Sequence, residues 1–328
     1  MKGWLRHSGL ALTLSVNSLS LAHAALSARG WLLRMDHAGR HVSYVGTFVY
    51  HHANMLETMR IFHRVGPGGV RERLESLNGT PREIIRGHHH IRCYLPNENA
   101  LIVERSRSGR KGFPALLPTH LRRLDHYYHF ALAGEARVAG RQAQIILIRA
   151  RDRYRYGYRL WADRETGLLL RSDLLSPAGR VVEQFMFTRI SPGVHVSRAQ
   201  VRPPPLQAPG QWRREGPEKE VAQSALWRAQ KVPAGFHMKM HLLGFQGPHN
   251  VVVQHFVYSD GLAAVSVFVQ KARGHGHPGV VGLQQMGAVN VYGRVDNGYR
   301  ITVMGEVPMA TVDMIGSSLR LANRGSSH

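Results

Sequence analysis

The stretch from Asp152 to Thr188 constrains the fold more than any other part of this chain. It begins DRYRYGYRLW, so that tyrosines and Leu160 alternate with arginines and Trp161. This period of two is typical of a strand with one apolar and one basic face. The short links DRETG and SPAG lead into two further strand patterns, Leu168–Leu175 and Val181–Thr188. Links this short join antiparallel neighbours, so the sequence predicts a three-stranded meander that covers a core, a helix or a ligand.

The N-terminus has the pattern of a cleavable export signal. Lys2 and Arg6 precede an apolar run from Leu10 to Leu21, which ends in Ala22-His23-Ala24. A basic start, a short apolar run and an A-x-A end are typical of secretory signals, and the run is short for a membrane span. We therefore expect cleavage near Ala24 and a soluble, exported mature protein, with an uncleaved anchor as the alternative.

The charge and cysteine content narrow the classes of partner. The formal net charge is +22, from 43 Lys and Arg against 21 Asp and Glu. An exported protein with this charge meets anionic lipid head groups, lipopolysaccharide phosphates and acidic peptides, and we expect no nucleic acid partner. Scattered arginines on solvated faces account for much of the charge without any ligand. Cys93 is the single cysteine, so no intramolecular disulfide is possible, and we interpret it as a buried structural residue.

The pattern of composition predicts two domains. We divide the chain into a signal (1–24), an N-terminal domain (25–195), a linker (196–225), a C-terminal domain (226–322) and a tail (323–328). The linker contains Pro203-Pro204-Pro205 and has no regular period. The expected fold class is α+β: a large antiparallel curved sheet with helices, followed by a smaller α+β domain.

Periodicity and turn residues place the elements within these domains. In the N-terminal domain we predict helices over Leu26–Val42 and Phe113–Ala131, and strands over Tyr44–Tyr50, Met55–Arg64, Val70–Leu77, Arg82–Arg86, His90–Tyr94, Leu101–Arg105 and Arg137–Arg149. In the C-terminal domain we predict strands over His237–Leu243, Val251–Tyr258, Leu262–Gln270, Ala288–Arg294 and Tyr299–Met304, and a final helix over Thr311–Leu321.

Motifs of common enzyme classes are absent from the sequence: there is no G-x-S-x-G elbow, Walker A loop, H-E-x-x-H or G-x-G-x-x-G. Histidine runs at His51-His52, His88-His89-His90 and His275-x-His277 leave a metal site open, but we favour surface histidines that titrate below neutral pH. Glu57, Glu72, Glu183, Asp260 and Glu306 form no recognisable acid and base pair. We therefore predict a non-enzymatic protein with no metal and no cofactor.

Several runs together resemble the RseB/MucB family of periplasmic regulators of the envelope-stress sigma factor. The matching runs are YVGTFVY, LETMRI, ERLESLNGTPREIIR, CYLP, FPALLP, RVAGR, DRYRYGYRLW, TGLLLRSDLL, QFMFT, YSDGLAAVSVF and GEVP, which span Trp31 to Leu319. The resemblance implies an N-terminal open half-barrel, similar to the lipoprotein carriers of the periplasm. It also implies binding to the periplasmic segment of a membrane anti-sigma factor of RseA/MucA type, protection of that segment from proteolysis, and release by lipopolysaccharide or lipoprotein acyl chains.

Two sets of residues are candidates for these roles. Residues for a ligand or lipid groove are Tyr154, Tyr156, Tyr158, Phe185, Phe187, Arg153 and Arg155, although the aromatic members also suit an ordinary core. The resemblance places partner contacts largely on the small domain and in the crevice between the domains, and the residues that we assign to them are Phe256, Tyr258, Ser259, Asp260 and Glu306. The alternative function is a periplasmic carrier or chaperone for lipid or lipoprotein. Homo-oligomerisation is left open.

Overall fold

The computed structural model describes residues 26–87, 90–105, 121–203, 213–215, 219–220, 227–246, 251–272 and 280–321. These residues form a 12-stranded sheet in the N-terminal part of the chain and a 7-stranded sheet in the C-terminal part, with a small two-stranded sheet beside the second. The first sheet has the strand order β12-β6-β5-β4-β3-β2-β1-β11-β10-β9-β8-β7. Its two terminal strands are not joined, so the sheet is open.

The elements of the N-terminal part follow in chain order. They are α1 (Ala28–His41), β1 (Tyr44–His52), β2 (Met55–Gly66), β3 (Gly69–Ser76), β4 (Glu83–Arg86), β5 (His90–Leu95), β6 (Ala100–Arg105), β7 (Tyr128–Val138), β8 (Arg141–Ala150), β9 (Gly157–Asp163), β10 (Leu169–Leu175), β11 (Val181–Pro192) and β12 (Arg213–Glu215), with 3-10 turns at Pro96–Glu98, Leu121–His126 and Ala199–Val201.

The C-terminal part has its own sheet and helix. Its elements are β13 (Lys219–Glu220), β14 (Trp227–Ala229), β15 (His237–Gln246), β16 (Val251–Ser259), β17 (Ala264–Lys271), β18 (Gly282–Met286), β19 (Val289–Asp296), β20 (Tyr299–Gly305), α2 (Met309–Ser318) and β21 (Leu319–Leu321). The sheet order is β13-β15-β16-β17-β20-β19-β18, so β18 lies at one edge.

Helix α1 begins where the sequence predicts it. The Ser27 side chain accepts a hydrogen bond from the Gly30 amide at 3.1 Å and caps the first turn. Trp31, Leu32 and Met35 lie on one face at helical spacing and are buried with Leu160 of β9 and other strand residues. The helix therefore covers part of the sheet, and it is one occupant of the side that the meander covers.

The predicted meander and hairpins are also present. Strands β9, β10 and β11 are consecutive antiparallel neighbours, and β2 and β3 pair from Met59–Ser76 to Gly66–Gly69. A turn at Asn297-Gly298, both with positive φ, joins β19 to β20. The α+β class and the open, mostly antiparallel sheet are thus confirmed; β12 is an exception because it runs parallel to β6.

The predicted helix from Phe113 to Ala131 is wrong over its described part. Leu121–His126 forms a 3-10 turn, and strand β7 begins at Tyr128; residues 113–120 lie outside the described residues. Leu124 and Tyr128 are both buried against α1. A short turn followed by a strand brings these two side chains to the same core as a helix would, so their spacing did not distinguish the two.

Two other boundaries differ from the prediction. The predicted strand Arg137–Arg149 is interrupted by a turn at Ala139-Gly140, both with positive φ, which separates β7 from β8. The last residues of the predicted helix Thr311–Leu321 form β21, which pairs with β14. Strand pairing with Trp227–Ala229 satisfies the backbone there in place of another helical turn.

The strand predicted from Asp152 begins only at Gly157. The Tyr154 amide donates to the Asp152 carboxylate at 2.9 Å, a local turn bond that competes with strand pairing. Tyr154 and Tyr156 therefore do not continue the face of Tyr158 and Leu160, and the shared parity predicted for them is wrong. In the described part of the chain, neither helix has the length and apolar character that a membrane crossing requires.

Candidate functional site

The turn before β9 carries the main polar contact between the two sheets. The Arg155 side chain is fully buried, and its Nε donates to Asp260 Oδ2 at 2.6 Å, across 105 residues of sequence. The same guanidinium pairs with Asp152 and donates to the carbonyl oxygen of Ala234. Oxygen atoms from both the N-terminal and the C-terminal part therefore compensate this buried charge.

Aromatic rings enclose this ion pair. The Arg155 guanidinium carbon lies 4.6 Å from the ring centre of Tyr127 and 5.0 Å from that of Phe236. Tyr128 donates its hydroxyl hydrogen to Asp260 Oδ2 at 2.9 Å. Burial, with the nearby Asp260 carboxylate, raises the pKa of Tyr128 well above its ordinary value. Tyr128 therefore remains a neutral donor, as the carboxylate requires.

Asp260 also shapes the hairpin that presents it. Its other carboxylate oxygen accepts from the amides of Leu262 and Ala263, both at 2.8 Å. The turn role that the sequence suggested for Asp260 is therefore real. One side chain both folds the β16–β17 connection and holds Arg155, which links the geometry of this hairpin to the position of the N-terminal sheet.

A second group of contacts surrounds Tyr156. Asn290 of β19 donates to the Tyr156 hydroxyl at 2.9 Å and to the Val307 carbonyl at 2.7 Å. Thr311 of α2 donates its hydroxyl to the Tyr154 carbonyl at 2.6 Å. Tyr156 also packs in a small apolar cluster with Leu174 and Ala288. The C-terminal domain thus binds the backbone and side chains of the Asp152–Tyr156 turn in several places.

Two carboxylates interact at a different place in this contact. Glu183 of β11 and Glu306, just after β20, interact electrostatically, and the Tyr50 hydroxyl donates to Glu183. Removal of water from the carboxylate, and then the charge of Glu306, raise the pKa of Glu183 to about 7. Partial desolvation also raises the pKa of Glu306, while His52 opposes this change. This part of the contact therefore favours a proton near neutral pH.

Strand β18 forms an exposed edge next to the same contact. All five of its residues are exposed, and Val281, Leu283 and Met286 in and beside it are 61%, 44% and 59% exposed. Gly287, with a φ of +63°, follows β18 and lies against the β1–β2 turn: a Cβ added there would be 2.9 Å from the Ala53 nitrogen. Met55 and Leu56, which follow this turn, are also exposed. Apolar side chains from both domains therefore lie around one edge strand.

The predicted groove residues are separated by the fold. Phe185 and Phe187 pack with Phe48 in the buried core of the N-terminal sheet. Arg155 and Tyr156 are buried in the domain contact, Tyr154 and Tyr158 are half-buried, and Arg153 is exposed. The pKa of Tyr158 is raised by burial and by Glu306. A lipid-binding role for this set remains a prediction, although Arg155 has its guanidinium already occupied.

The predicted partner residues lie mostly inside the C-terminal domain. Phe256 and Tyr258 are buried in its core, and the Tyr258 hydroxyl accepts from the Ala229 amide at 3.2 Å. Ser259 donates to the Ala263 carbonyl at 2.7 Å within the hairpin. Glu306 alone of the five is exposed. Direct partner contact therefore remains a prediction for these residues, and the first four position the hairpin.

Sequence reasoning missed other polar residues of the fold. His63 Nδ1 lies 2.9 Å from Glu72 Oε1 in the core, and Arg86 donates to Glu72 Oε2 at 2.9 Å. The alternation of charged and apolar residues in β2 and β3 gave no indication of which charges face inward. Asn290, a lone amide in an apolar strand pattern, was the signal that could have been noticed.

No group of three potential metal ligands converges within the described ranges; His88, His89, His275 and His277 lie outside them.

Comparison with protein families identifies both parts of the chain. The model of the MucB/RseB N-terminal domain matches residues 27–205, and that of the MucB/RseB C-terminal domain matches residues 221–320. Sigma factor AlgU regulatory protein MucB from Pseudomonas aeruginosa is 33% identical over 325 residues, which cover 96% of this chain and 98% of that protein. Sigma-E factor regulatory protein RseB from Escherichia coli K12 is 27% identical over 319 residues, covering 94% and 96%.

Solved structures give the same correspondence. MucB in complex with MucA(peri) has a TM-score of 0.67 and 30% identity, covering 90% of this chain and 98% of that one. The crystal structure of MucB has a TM-score of 0.63 and 31% identity over the same shares of both chains. Both of these relatives are named as sigma factor regulatory proteins.

Proposed function

The chain belongs to the MucB/RseB family, and from this premise we propose that it is a periplasmic, non-catalytic regulator of an envelope-stress sigma factor. It binds the periplasmic segment of a membrane anti-sigma factor of RseA/MucA type and protects that segment from regulated proteolysis. Lipopolysaccharide or lipoprotein stress signals release it. A solved structure of MucB with MucA(peri) supports the choice of partner.

The exposed edge strand β18 carries this proposal. Its outer side has no strand partner among the residues described, and its sequence GLQQM contains no charge. Edge strands of soluble proteins are usually protected by charge, proline or a covering element, and an extended peptide can pair with an unprotected one. The exposed Leu283 and Met286 would add apolar contacts with side chains of such a peptide. We propose that the anti-sigma segment adds to this sheet as a strand.

The surrounding surface depends on how the domains meet. Met55 and Leu56 come from the N-terminal sheet, and they lie beside β18 because the β1–β2 turn contacts Gly287. A signal that favours a separated arrangement of the domains would divide this composite surface and weaken peptide binding. Coupling between two ligands requires such an element with two arrangements. Glu306, the exposed residue of the predicted partner set, lies on the domain contact that would change.

Titration of the mature protein with the periplasmic segment of its anti-sigma factor tests the proposal. We expect saturable binding that lipopolysaccharide weakens, and slower cleavage of the segment by an added protease when the protein is bound. Introducing a charge at the edge, with Leu283→Lys and Met286→Lys, should weaken binding at least about tenfold, which corresponds to ~1.4 kcal/mol.

The matched control is Leu33→Lys, an exposed leucine on α1 that lies away from β18. It should change the affinity less than about twofold. Equal losses in the edge and control variants would reject β18 as the binding surface. No binding to the segment, together with co-purified lipid, would instead favour the carrier function.

A further inference from the structure

A cavity rich in arginine lies at the end of the β2–β3 hairpin, away from the domain contact described above. Its volume is about 360 Å³. The lining residues are Arg64, Pro67, Gly68, Arg71, Arg198, Val201 and Arg202. Four of these seven residues are arginines, and none of the seven is acidic. The cavity therefore presents a concentrated positive charge.

The hairpin holds two of the arginines in an unfavourable arrangement. Arg64 of β2 and Arg71 of β3 are direct cross-strand partners, so their side chains leave the same face of the sheet. Like charges directly opposite each other destabilise a sheet by up to about 1 kcal/mol. Among the described residues, no carboxylate forms an ion pair with Arg64, Arg71, Arg198 or Arg202. An anion between these side chains would relieve the repulsion.

The other two arginines come from a well-defined turn. Ser197 and Gln200 bond reciprocally, with the Ser197 amide donating to Gln200 Oε1 at 2.8 Å and the Gln200 amide to Ser197 Oγ at 3.3 Å. This arrangement fixes the 3-10 turn at Ala199–Val201, and the buried Val201 packs on the hairpin strands. Arg198 and Arg202 flank the turn and are exposed. Their backbones are therefore positioned while their guanidinium groups remain available.

A second cavity of about 480 Å³ shares Arg64 with the first. It is lined by His41, Val42, Ser43, Arg64, Val65, Gly193, Val194, His195 and Val196. Hydrogen bonds from the Val65 amide to Ser43 Oγ at 3.0 Å and from the Gly193 amide to the Ser43 carbonyl at 2.8 Å hold its wall. The valines offer apolar contacts beside the arginine cluster. The pair of cavities suits a ligand with a charged end and an organic portion.

We infer that the arginine cavity binds a phosphate group. Guanidinium groups donate paired hydrogen bonds to phosphate oxygens, and several of them together favour a multiply charged anion over a single carboxylate. The group is either free phosphate or the head group of an anionic lipid, whose organic portion would lie along the second cavity. If the ligand is a lipid head group, this inference rests on the proposed function, because it gives the lipid release signal a place on the N-terminal sheet. Phosphate binding is measured on the protein alone, so its failure would leave the proposed binding to the anti-sigma segment standing.

Calorimetric titration of the mature protein with inorganic pyrophosphate tests the inference. The variant Arg71→Gln/Arg198→Gln should bind pyrophosphate at least about tenfold more weakly than the unaltered protein at moderate salt. The matched control, Arg149→Gln/Arg189→Gln, removes the same charge from exposed strand positions of the same sheet. It should change affinity less than about twofold. Equal weakening in the two variants would show general attraction to a basic protein and overturn the inference.

Unfolding measurements separate loss of the site from loss of the fold. Without ligand, Arg71→Gln should raise the unfolding temperature slightly, because it removes the repulsion with Arg64. With saturating pyrophosphate, it should show a smaller increase in unfolding temperature than the unaltered protein. A variant that is destabilised without ligand, or that gains as much from pyrophosphate as the unaltered protein, would contradict the site.

Vesicles distinguish the two sources of phosphate. Flotation with phosphatidylcholine vesicles containing phosphatidic acid is compared with phosphatidylcholine alone, for the unaltered protein and both double variants. Binding to the anionic vesicles that pyrophosphate displaces and the cavity variant loses would identify a lipid head group as the ligand. Pyrophosphate binding without such vesicle binding would identify free phosphate. Absence of both would overturn the inference.

Discussion

The two parts of the domain contact differ in the sign of their charges. At one, the buried guanidinium of Arg155 meets the carboxylate of Asp260, with Asp152 beside it. At the other, the carboxylates of Glu183 and Glu306 interact, and the pKa of Glu183 rises to about 7. One contact connects the domains through opposite charges, while the other places like charges between them.

The difference indicates which part keeps the domains docked and which part favours their separation. A buried ion pair contributes little net stability relative to apolar packing, but removal of one partner is costly because a charge is left buried. Two carboxylates that interact across the contact oppose docking whenever both are ionised. A regulator that changes partners needs an interface that is specific and yet near balance, and these two contacts together meet that requirement.

Removing the charge of Asp260 should have the largest effect. Asp260→Asn keeps an oxygen for the turn amides but leaves Arg155 with a diminished counter-charge, so we expect a loss of about 3 kcal/mol in the free energy of unfolding. Urea denaturation measures this loss, and small-angle X-ray scattering should show a larger radius of gyration. Adding Arg155→Met should recover part of the stability.

The control for this substitution is Asp296→Asn, at a partly exposed pair with Arg294. A surface pair contributes less than about 1 kcal/mol. If the two variants lose the same stability, the Arg155 contact is not the one that holds the domains, and the comparison between the two contacts fails.

Crowding the β1–β2 turn should weaken the contact between the domains at a second place. Gly287→Ala puts a methyl group 2.9 Å from the Ala53 nitrogen at a residue with φ of +63°. The positive φ alone costs about 1 kcal/mol for a residue with a side chain. We expect a total loss of about 2 kcal/mol, together with an expanded shape in scattering.

Gly298→Ala supplies the comparison, since Gly298 has a φ of +74° and nothing within 4 Å of an added Cβ. Gly298→Ala should lose only the stability that a side chain at positive φ costs, and its domains should stay docked. An unchanged shape in Gly287→Ala would show that the turn contact does not hold the domains together.

Much of the fold could be read from local signals in the sequence. Ser27 before an apolar helical pattern, the glycines between β2 and β3, and Asn297-Gly298 each act within a few residues. The region near Tyr128 could not be assigned, because its spacing fits a helix as well as a turn followed by a strand. The turn at Asp152 was concealed by the alternation of arginine and tyrosine around it.

The domain contact was beyond such reasoning. Arg155 and Asp260 are 105 residues apart. The chain has 43 lysines and arginines, and the sequence does not show which of them is buried in an ion pair. Which arginine becomes buried depends on how two sheets dock, and no local pattern encodes that. In the sequence Glu183 and Glu306 are only two separate carboxylates, because their mutual effect on pKa arises from the same long-range contact.

The carboxylate contact predicts a dependence of docking on pH. In the docked protein, burial and then the charge of Glu306 raise the pKa of Glu183 from 4.5 to about 7. Because Glu306 belongs to the C-terminal domain, we expect the docked state to bind the proton more tightly than the separated one. The stabilisation of docking by protonated Glu183 is therefore greatest at low pH and is lost as the pH rises through about 7. Scattering should report a more open molecule at pH 8 than at pH 5.

Glu183→Gln should remove this dependence. At pH 8 it should stabilise the docked state by about 1 kcal/mol, since the repulsion with Glu306 is gone, and at pH 5 it should change little. Glu98→Gln, at an exposed carboxylate on a 3-10 turn, is the control and should leave the pH profile unaltered. An identical profile in Glu183→Gln and the unaltered protein would rule out the carboxylate pair as its source.

The smallest effect is expected at Tyr156, which lies in the turn held by the C-terminal domain. Tyr156→Phe removes the hydroxyl that accepts from Asn290, but Asn290 keeps its bond to the Val307 carbonyl and the ring keeps its packing with Leu174. Because one neutral hydrogen bond contributes about 0.5 to 1 kcal/mol, urea denaturation should show a loss in that range. Tyr154→Phe is a suitable control, since the Tyr154 backbone carbonyl, and not its side chain, binds Thr311. Tyr156→Phe and Asp260→Asn could instead lose the same free energy of unfolding. Neutral hydrogen bonds would then hold the domains together as firmly as the buried ion pair does. The distinction between a charged contact that holds the domains and a neutral one that supports it would no longer stand.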